Sequence, residues 1–293
     1  MRLRLEAMRV ALAGLVAWAA VLPPLAARPL EDIQRRGVLV LCAHPNALPF
    51  ASKRGSTRGL QIDLADEIAR RMGLRLDIGW VTEGFQYRAV DCDIVMDAIV
   101  DEDALAERNL KWSTPYQRSG VALALRPGSP GIERFADLGP DARIGVQMGS
   151  LAQVILGKSG LKVIPFGFED EMVAAVAAGE IDAAAVTPAS IGWFNHEHPD
   201  RTLTVVHAYE HEPELAWDVA VGLRRSDRFL RRAIDRAVQS MLDDGTIGRI
   251  YAAYGIEHRQ PTTQKPLLIE RKSQIGEEAC IRLGNQRDCT GSR

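Results

Sequence analysis

Two hydrophobic periods take turns along this chain. Short apolar runs of strand length alternate with stretches in which apolar residues recur every three or four positions. Val38–Cys42, Leu74–Trp80, Asp93–Val100, Val121–Leu125, Ile144–Gln147, Val163–Phe166, Asp182–Val186 and Val219–Leu223 read as strands. Between the first two, Leu60, Leu64, Ile68 and Met72 recur every four residues with Ala65 and Ala69 among them, and Gly73 ends this helix. Met148-Gly149-Ser150 opens a second helix, and Asp170–Ala178 forms a third before Gly179. Phe229, Ala233, Ile234, Ala237, Val238, Met241 and Leu242 make a helical stripe ended by Gly245, and Thr246–Tyr254 is the last helix. Strand-helix-strand order of this kind predicts an α/β fold with parallel sheets covered by helices. The loop His44–Phe50 is dense in turn formers.

The turn Arg126-Pro127-Gly128 breaks the pattern and predicts a boundary between two lobes, one ending at residue 125 and one beginning at 126. A cleft between two lobes is a favoured place for a small ligand. From Pro261 the periodicity is lost, so residues 259–293 read as a C-terminal tail.

The N-terminus adds a destination. Arg2, Arg4 and Arg9 precede the apolar stretch Val10–Leu22, and Leu25-Ala26-Ala27 supplies small residues for cleavage. This is the layout of a secretory signal over residues 1–27, cut after Ala27. An uncleaved anchor helix is the alternative, although Pro23-Pro24 cuts the apolar stretch short of a span. No cysteine stands near the cut to take a lipid. Cleavage leaves 33 basic against 37 acidic residues and an expected home outside the cytosol, in a bacterial periplasm. Beyond the signal no apolar run reaches the ~18 residues of a membrane helix.

Charge and composition narrow the partners. The whole chain of 293 residues carries a formal charge of −2, which excludes a strongly electrostatic nucleic-acid or membrane-surface binder. Aromatic residues are 6%, too sparse for a base-stacking platform.

An oxidising destination makes the four cysteines read as structural. Cys42 and Cys92 border the apolar runs at 38–41 and 93–96, and Cys280 and Cys289 lie close together in the polar tail. Three connectivities exist. Strand ends that meet favour 42–92, which leaves 280–289. The absence of any C-x-x-C argues against a metal site. His196 with His198, and His207 with His211, read as solvated loop histidines.

Four stretches resemble a known family. Gly59-Leu60-Gln61-Ile62-Asp63-Leu64 is similar to the first-helix opening of type II periplasmic solute-binding proteins of the amino-acid-receptor branch. Trp112-Ser113-Thr114-Pro115-Tyr116, Ile144-Gly145-Val146-Gln147-Met148-Gly149-Ser150, and Asp244-Gly245-Thr246 with Tyr251 and Gly255 resemble its later motifs in the same order. A narrower resemblance lies in Val40–Phe50, Cys92–Met96 and Pro115-Tyr116-Gln117-Arg118-Ser119. These look like the binding-protein-like accessory proteins encoded beside periplasmic quinoprotein (PQQ) methanol and alcohol dehydrogenases. The resemblance implies a two-lobed type II periplasmic binding protein fold with a ligand cleft. It also implies that residues 216–258 return to a first lobe built from 28–125, while 126–215 form the second.

The same resemblance implies site residues. Amino-acid receptors hold the ligand carboxylate with an arginine and with a helix N-terminus. Arg108 is the match for the arginine, with a solvated surface arginine as the alternative. Gly149 and Ser150 begin the matching helix, where Ser150 suits an anion site and a plain helix cap equally. Thr187 stands where those receptors place an acid for the ligand ammonium, and a threonine cannot neutralise that charge. Phe50 is placed to pack on a ligand or in the core. The acids Asp91, Asp93, Asp97, Asp101, Glu102, Asp103 and Glu107 form a solvated loop or a cation-favouring edge.

Three classes of function compete. The first is a non-enzymatic monomer without cofactor that serves a quinoprotein dehydrogenase as accessory or assembly partner, or delivers a small polar ligand to an ABC permease. The second is a dehydratase on the same fold, for which Glu83 or Asp97 is the nominee as general acid or base. No Ser-His-Asp or Cys-His arrangement supports other catalysis. The third, a receptor-fused sensor, would need a later membrane span.

Overall fold

The computed structural model describes residues 29–82, 86–100, 110–129, 131–224 and 226–262. The expected signal over residues 1–27, Glu83, Asp101–Glu107, Arg108, Cys280, Cys289 and the chain beyond 262 lie outside the described residues.

In chain order the elements of the first part are α1 (Leu30–Arg36), β1 (Val38–Ala43), β2 (Asn46–Ala47), β3 (Ala51–Ser52), α2 (Leu60–Arg71), β4 (Arg75–Trp80), α3 (Tyr87–Val90), β5 (Ile94–Ile99), β6 (Leu110–Trp112) and β7 (Gln117–Gly120). Then follow β8 (Ala122–Leu125), β9 (Arg143–Gln147), α4 (Leu151–Lys158), β10 (Lys162–Phe166), α5 (Glu169–Ala178), β11 (Ala183–Val186), α6 (Pro188–Glu197) and β12 (Thr204–Val206). Last come β13 (Ala216–Arg224), α7 (Arg228–Asp243) and α8 (Thr246–Ala253).

The strands make two main sheets. One has the order β4-β1-β5-β13-β6, with β7 also pairing β13, and the other has the order β10-β9-β11-β8-β12. In each, three parallel strands meet an antiparallel fourth: β13 runs against β5, and β8 against β11. Each sheet has its own core. The apolar face of α2 buries Leu60, Leu64, Ala65, Ile68 and Ala69, and α7 buries Leu230, Ile234, Val238 and Met241 over the first sheet. Phe229, expected in that stripe, is 51% exposed under the Arg228 guanidinium, because Leu230 takes the inward position at the start of α7. In the second sheet β8 and β11 are buried throughout, as strands covered on both faces should be.

The boundary lies earlier than the turn at 126 indicated. β8 pairs with β11 and β12 in the second sheet, so the chain crosses between lobes at Gly120-Val121 and returns at Leu215-Ala216. The two crossings touch, with Val121 N–H donating to Leu215 O at 2.9 Å. A Cβ on Gly120 would stand 2.4 Å from Leu215 O and from the Tyr209 ring, so only glycine fits there. Sheet pairing outweighs the Pro-Gly turn, which only ends β8.

Cys42 at the end of β1 and Cys92 just before β5 are joined, with Cα atoms 5.5 Å apart. The parallel register Leu41↔Ile94 and Cys42↔Val95 brings them together.

Candidate functional site

Open α/β sheets present ligands at the carboxyl ends of their parallel strands. In the first lobe those ends lead into His44–Phe50 after β1, Val81-Thr82 after β4 and the last residues of β5. In the second they lead into Met148–Ser150 after β9, Gly167-Phe168 after β10 and Thr187 after β11.

In the first lobe the chemistry centres on Asp97. β5 pairs Ile94 with Leu223 and Val95 with Gly222, then Ala98 with Ala220, so one extra β5 residue faces Val221. Asp97 sits in this bulge at φ 55°, and a bulge re-aims a side chain. Its carboxylate accepts from Tyr116 Oη at 2.6 Å and from Gln61 Nε2 at 2.5 Å. Burial pushes the Asp97 pKa above the usual range, and the two hydrogen bonds hold it back only in part. Tyr116 is 1% exposed, and burial together with the neighbouring Asp97 charge drives its phenol pKa well up.

Other acids of that run have different tasks. Asp93 is fully buried and accepts from Arg36 at 3.2 Å and from Val40 N–H at 2.9 Å, which ties α1 to β1 and β5. Phe50 lies half-buried against the first core, and its carbonyl accepts from Gln61 N–H at 2.9 Å.

The second lobe satisfies its edge from within. Ser150 Oγ accepts from Gln153 N–H at 3.2 Å, and Gln153 Oε1 accepts from Gly149 N–H at 2.7 Å. Ser150 therefore acts as a helix cap, and the Gly149 donor is taken. Thr187 donates through N–H and Oγ1 to Glu169, at 3.1 and 2.7 Å, and Ser190 Oγ donates to the same carboxylate. A carboxylate thus does stand beside Thr187, contributed by the first residue of α5. The structure brings Gly149 with Ser150 and places Thr187 on the same sheet edge.

Five of the seven large apolar side chains exposed among the described residues gather at these edges. Leu48 and Ile99 border the first lobe's edge, and Met148, Leu151 and Phe168 the second's. Phe168 is 66% exposed.

Glu169, Gln153 and the Gln61–Asp97–Tyr116 set are site features that periodicity does not announce. The S-x-x-Q spacing of Ser150 and Gln153 is a readable signal for a cap. His196 and His211 are exposed as expected, while His207 and His198 are not. His207 is only 18% exposed and contacts Glu257 at 3.1 Å, and burial lowers its pKa. His198 Nδ1 meets Phe194 O at 3.0 Å. His207 and His211 are four residues apart, yet among the described residues no group of three metal-ligating side chains exists. Among the described residues no helix is long and apolar enough to cross a membrane.

The two-lobed geometry agrees with a family assignment. The profile of bacterial extracellular solute-binding proteins, family 3, matches residues 39–257. The chain belongs to that family. This solute-binding protein is similar to the L-cystine-binding protein TcyJ of Escherichia coli K12, at 23% identity over 227 residues that cover 74% of this chain and 82% of that one. Among solved structures, an ancestral cationic amino acid solute-binding protein aligns with a TM-score of 0.65 at 23% identity, covering 77% of this chain and 99% of that one. The periplasmic binding protein XoxJ of Methylobacterium extorquens AM1 aligns with a TM-score of 0.60 at 22% identity, covering 75% of this chain and 99% of that one. These likenesses share the type II periplasmic binding protein fold.

Proposed function

We propose that this solute-binding protein is exported to the periplasm, holds its target without transforming it, and serves a PQQ quinoprotein methanol or alcohol dehydrogenase as accessory or assembly partner. The observation that carries this reading is the closed pairing of Thr187 and Ser190 with Glu169. At the place where an amino-acid receptor keeps an acid ready for an ammonium, this chain has a hydroxyl already committed to an internal carboxylate. The Gly149 donor is likewise committed to Gln153. The sequence resemblance at Val40–Phe50, Cys92–Met96 and Pro115–Ser119 supports the choice of partner.

The second reading is a receptor for an ABC importer, favoured by the family and by the cystine-binding relative. Phe50, Arg108, Gly149, Ser150 and Thr187 would then be its ligand contacts. A thermal-shift screen of the twenty amino acids, run beside affinity capture from the native periplasm, separates the two. A true ligand at 100 times its Kd stabilises by about 2.7 kcal/mol. The accessory reading expects no amino acid to raise Tm and a quinoprotein dehydrogenase in the capture. One amino acid with a saturable shift overturns it.

A further inference from the structure

The segment that leaves α8 does not trail into solvent. It is fastened to the first lobe residue by residue. Tyr254 Oη donates to Asp63 at 2.6 Å and accepts from Gly59 N–H at 3.0 Å. His258 Nε2 meets Tyr116 O at 2.8 Å. Arg259 N–H donates to Gln117 Oε1 at 3.0 Å, and Arg259 O accepts from Arg118 N–H at 2.9 Å, which extends the edge of β7. Thr262 donates through N–H and Oγ1 to Asp218, itself only 4% exposed.

The same segment touches the second lobe. Glu257 contacts His207 at 3.1 Å, and Arg259 pairs with Glu210 at 2.5 Å. Backbone meets backbone at Gly192 of α6 and Gly255. A Cβ on Gly192 would lie 2.6 Å from Gly255 O, and a Cβ on Gly255 would lie 2.8 Å from Gly192 O and 2.7 Å from His196 Cβ.

We propose that Tyr254–Thr262 is a third connection between the lobes, a strap in which the Gly192–Gly255 contact is a stop and the Glu257–His207 and Arg259–Glu210 pairs are a latch. The two covalent crossings at Gly120-Val121 and Leu215-Ala216 leave the lobes free to turn about them, as hinged domains do. Any turn that carries α6 and the segment 207–210 relative to the first lobe must stretch the latch or press on the stop. One contact is a hydrogen bond to an imidazole whose pKa burial lowers and the other a partly exposed ion pair, each individually weak, so the latch is releasable. The stop is packed backbone and does not yield by side-chain rotation. The strap thus sets the resting opening of the cleft, whichever partner the cleft serves.

Two variants of the full chain test this. Glu257→Ala with Arg259→Ala removes both latch contacts, at an exposed and a half-buried position. About tenfold faster amide exchange is expected at Arg118 and Val121, with Leu41 and Ala184 in the two sheets unchanged. Gly192→Ala should raise the radius of gyration by small-angle scattering, even though alanine favours a helix interior over glycine. Exchange at Arg118 and Val121 equal to that of the parent chain overturns the proposal, as does lost protection throughout both sheets. A Gly192→Ala chain that is more stable with unchanged scattering overturns the stop.

Discussion

The two lobes repeat one strand order and satisfy the carboxylates at their edges with different donors. In the second lobe the polar groups at the edge are closed on one another: Ser150 and Gly149 with Gln153, Thr187 and Ser190 with Glu169. In the first, a carboxyl is lifted on a bulge and met by two neutral donors, Tyr116 and Gln61. Topology supplies two equivalent edges. Which donors close each carboxylate depends on a few side chains that the sheet pattern does not constrain.

The sharpest way to break the comparison is through the disulfide, which belongs to the first lobe alone. Cys42 and Cys92 close a loop of 50 residues. Chain-entropy arguments put the stabilisation near ~4 kcal/mol for a loop of that size. The double variant Cys42→Ser/Cys92→Ser should lower the urea midpoint, and amide exchange should quicken most in β1, β4 and β5. Equal acceleration in β9 and β11 would mean that the lobes unfold as one unit. The matching cut in the second lobe is Met172→Ala. Met172 is fully buried in that core, and truncation there should cost about 3 kcal/mol. Its exchange signature should fall on β9 and β11 and spare β1.

A smaller effect with opposite sign is expected at Asp97. Its folded pKa lies above the ordinary 3.8, so the acid form favours the fold. That contribution is fully present below the unfolded pKa and is lost as pH rises through the folded one. Above that folded pKa the ionised group is therefore a cost, and Asp97→Asn should raise stability there. Asparagine also tolerates the left-handed backbone at φ 55°. At pH 3 the gain should vanish. Chemical denaturation at pH 3 and above the folded pKa checks this, and a loss of stability at the higher pH would make Asp97 a plain structural acceptor.

How far the sequence reveals this molecule depends on where each signal is written. The stripes on α2 and α7 are legible because each helix has one dry face and one wet face. Helix α6 escapes the same test because both sides are packed. Ile191 and Phe194 enter the second core while Ala189 and Trp193 reach the first, so no single stripe forms. The strap is hidden because its bonds run to backbone and to side chains 44 to 195 residues away, as with Arg259 and Gln117. Glu169 is hidden for a related reason. It lies 18 residues from Thr187 and meets it only because α5 and β11 share one sheet edge. The cap at Ser150 is local, and local chemistry is what sequence spacing records well.

The smallest predicted effect probes how closed the second edge is. Gln153 does two things at the start of α4: its N–H caps against Ser150 Oγ and its side chain covers the Gly149 N–H. Gln153→Ala keeps the first and deletes the second. The lost hydrogen bond is exposed, so stability should fall by only about 0.5 kcal/mol. The uncovered Gly149 N–H would then join the outward N–H groups of Leu151 and Ala152 at a helix N-terminus, an arrangement suited to a carboxylate. Titration with acetate should give tighter binding to the variant than to the parent chain. The parent, with that donor already occupied, should bind acetate no better than a variant in which Leu151 is replaced by proline, which has no N–H to offer. If parent and Gln153→Ala bind equally, the glutamine is not a cover, and the second edge is not closed at Gly149.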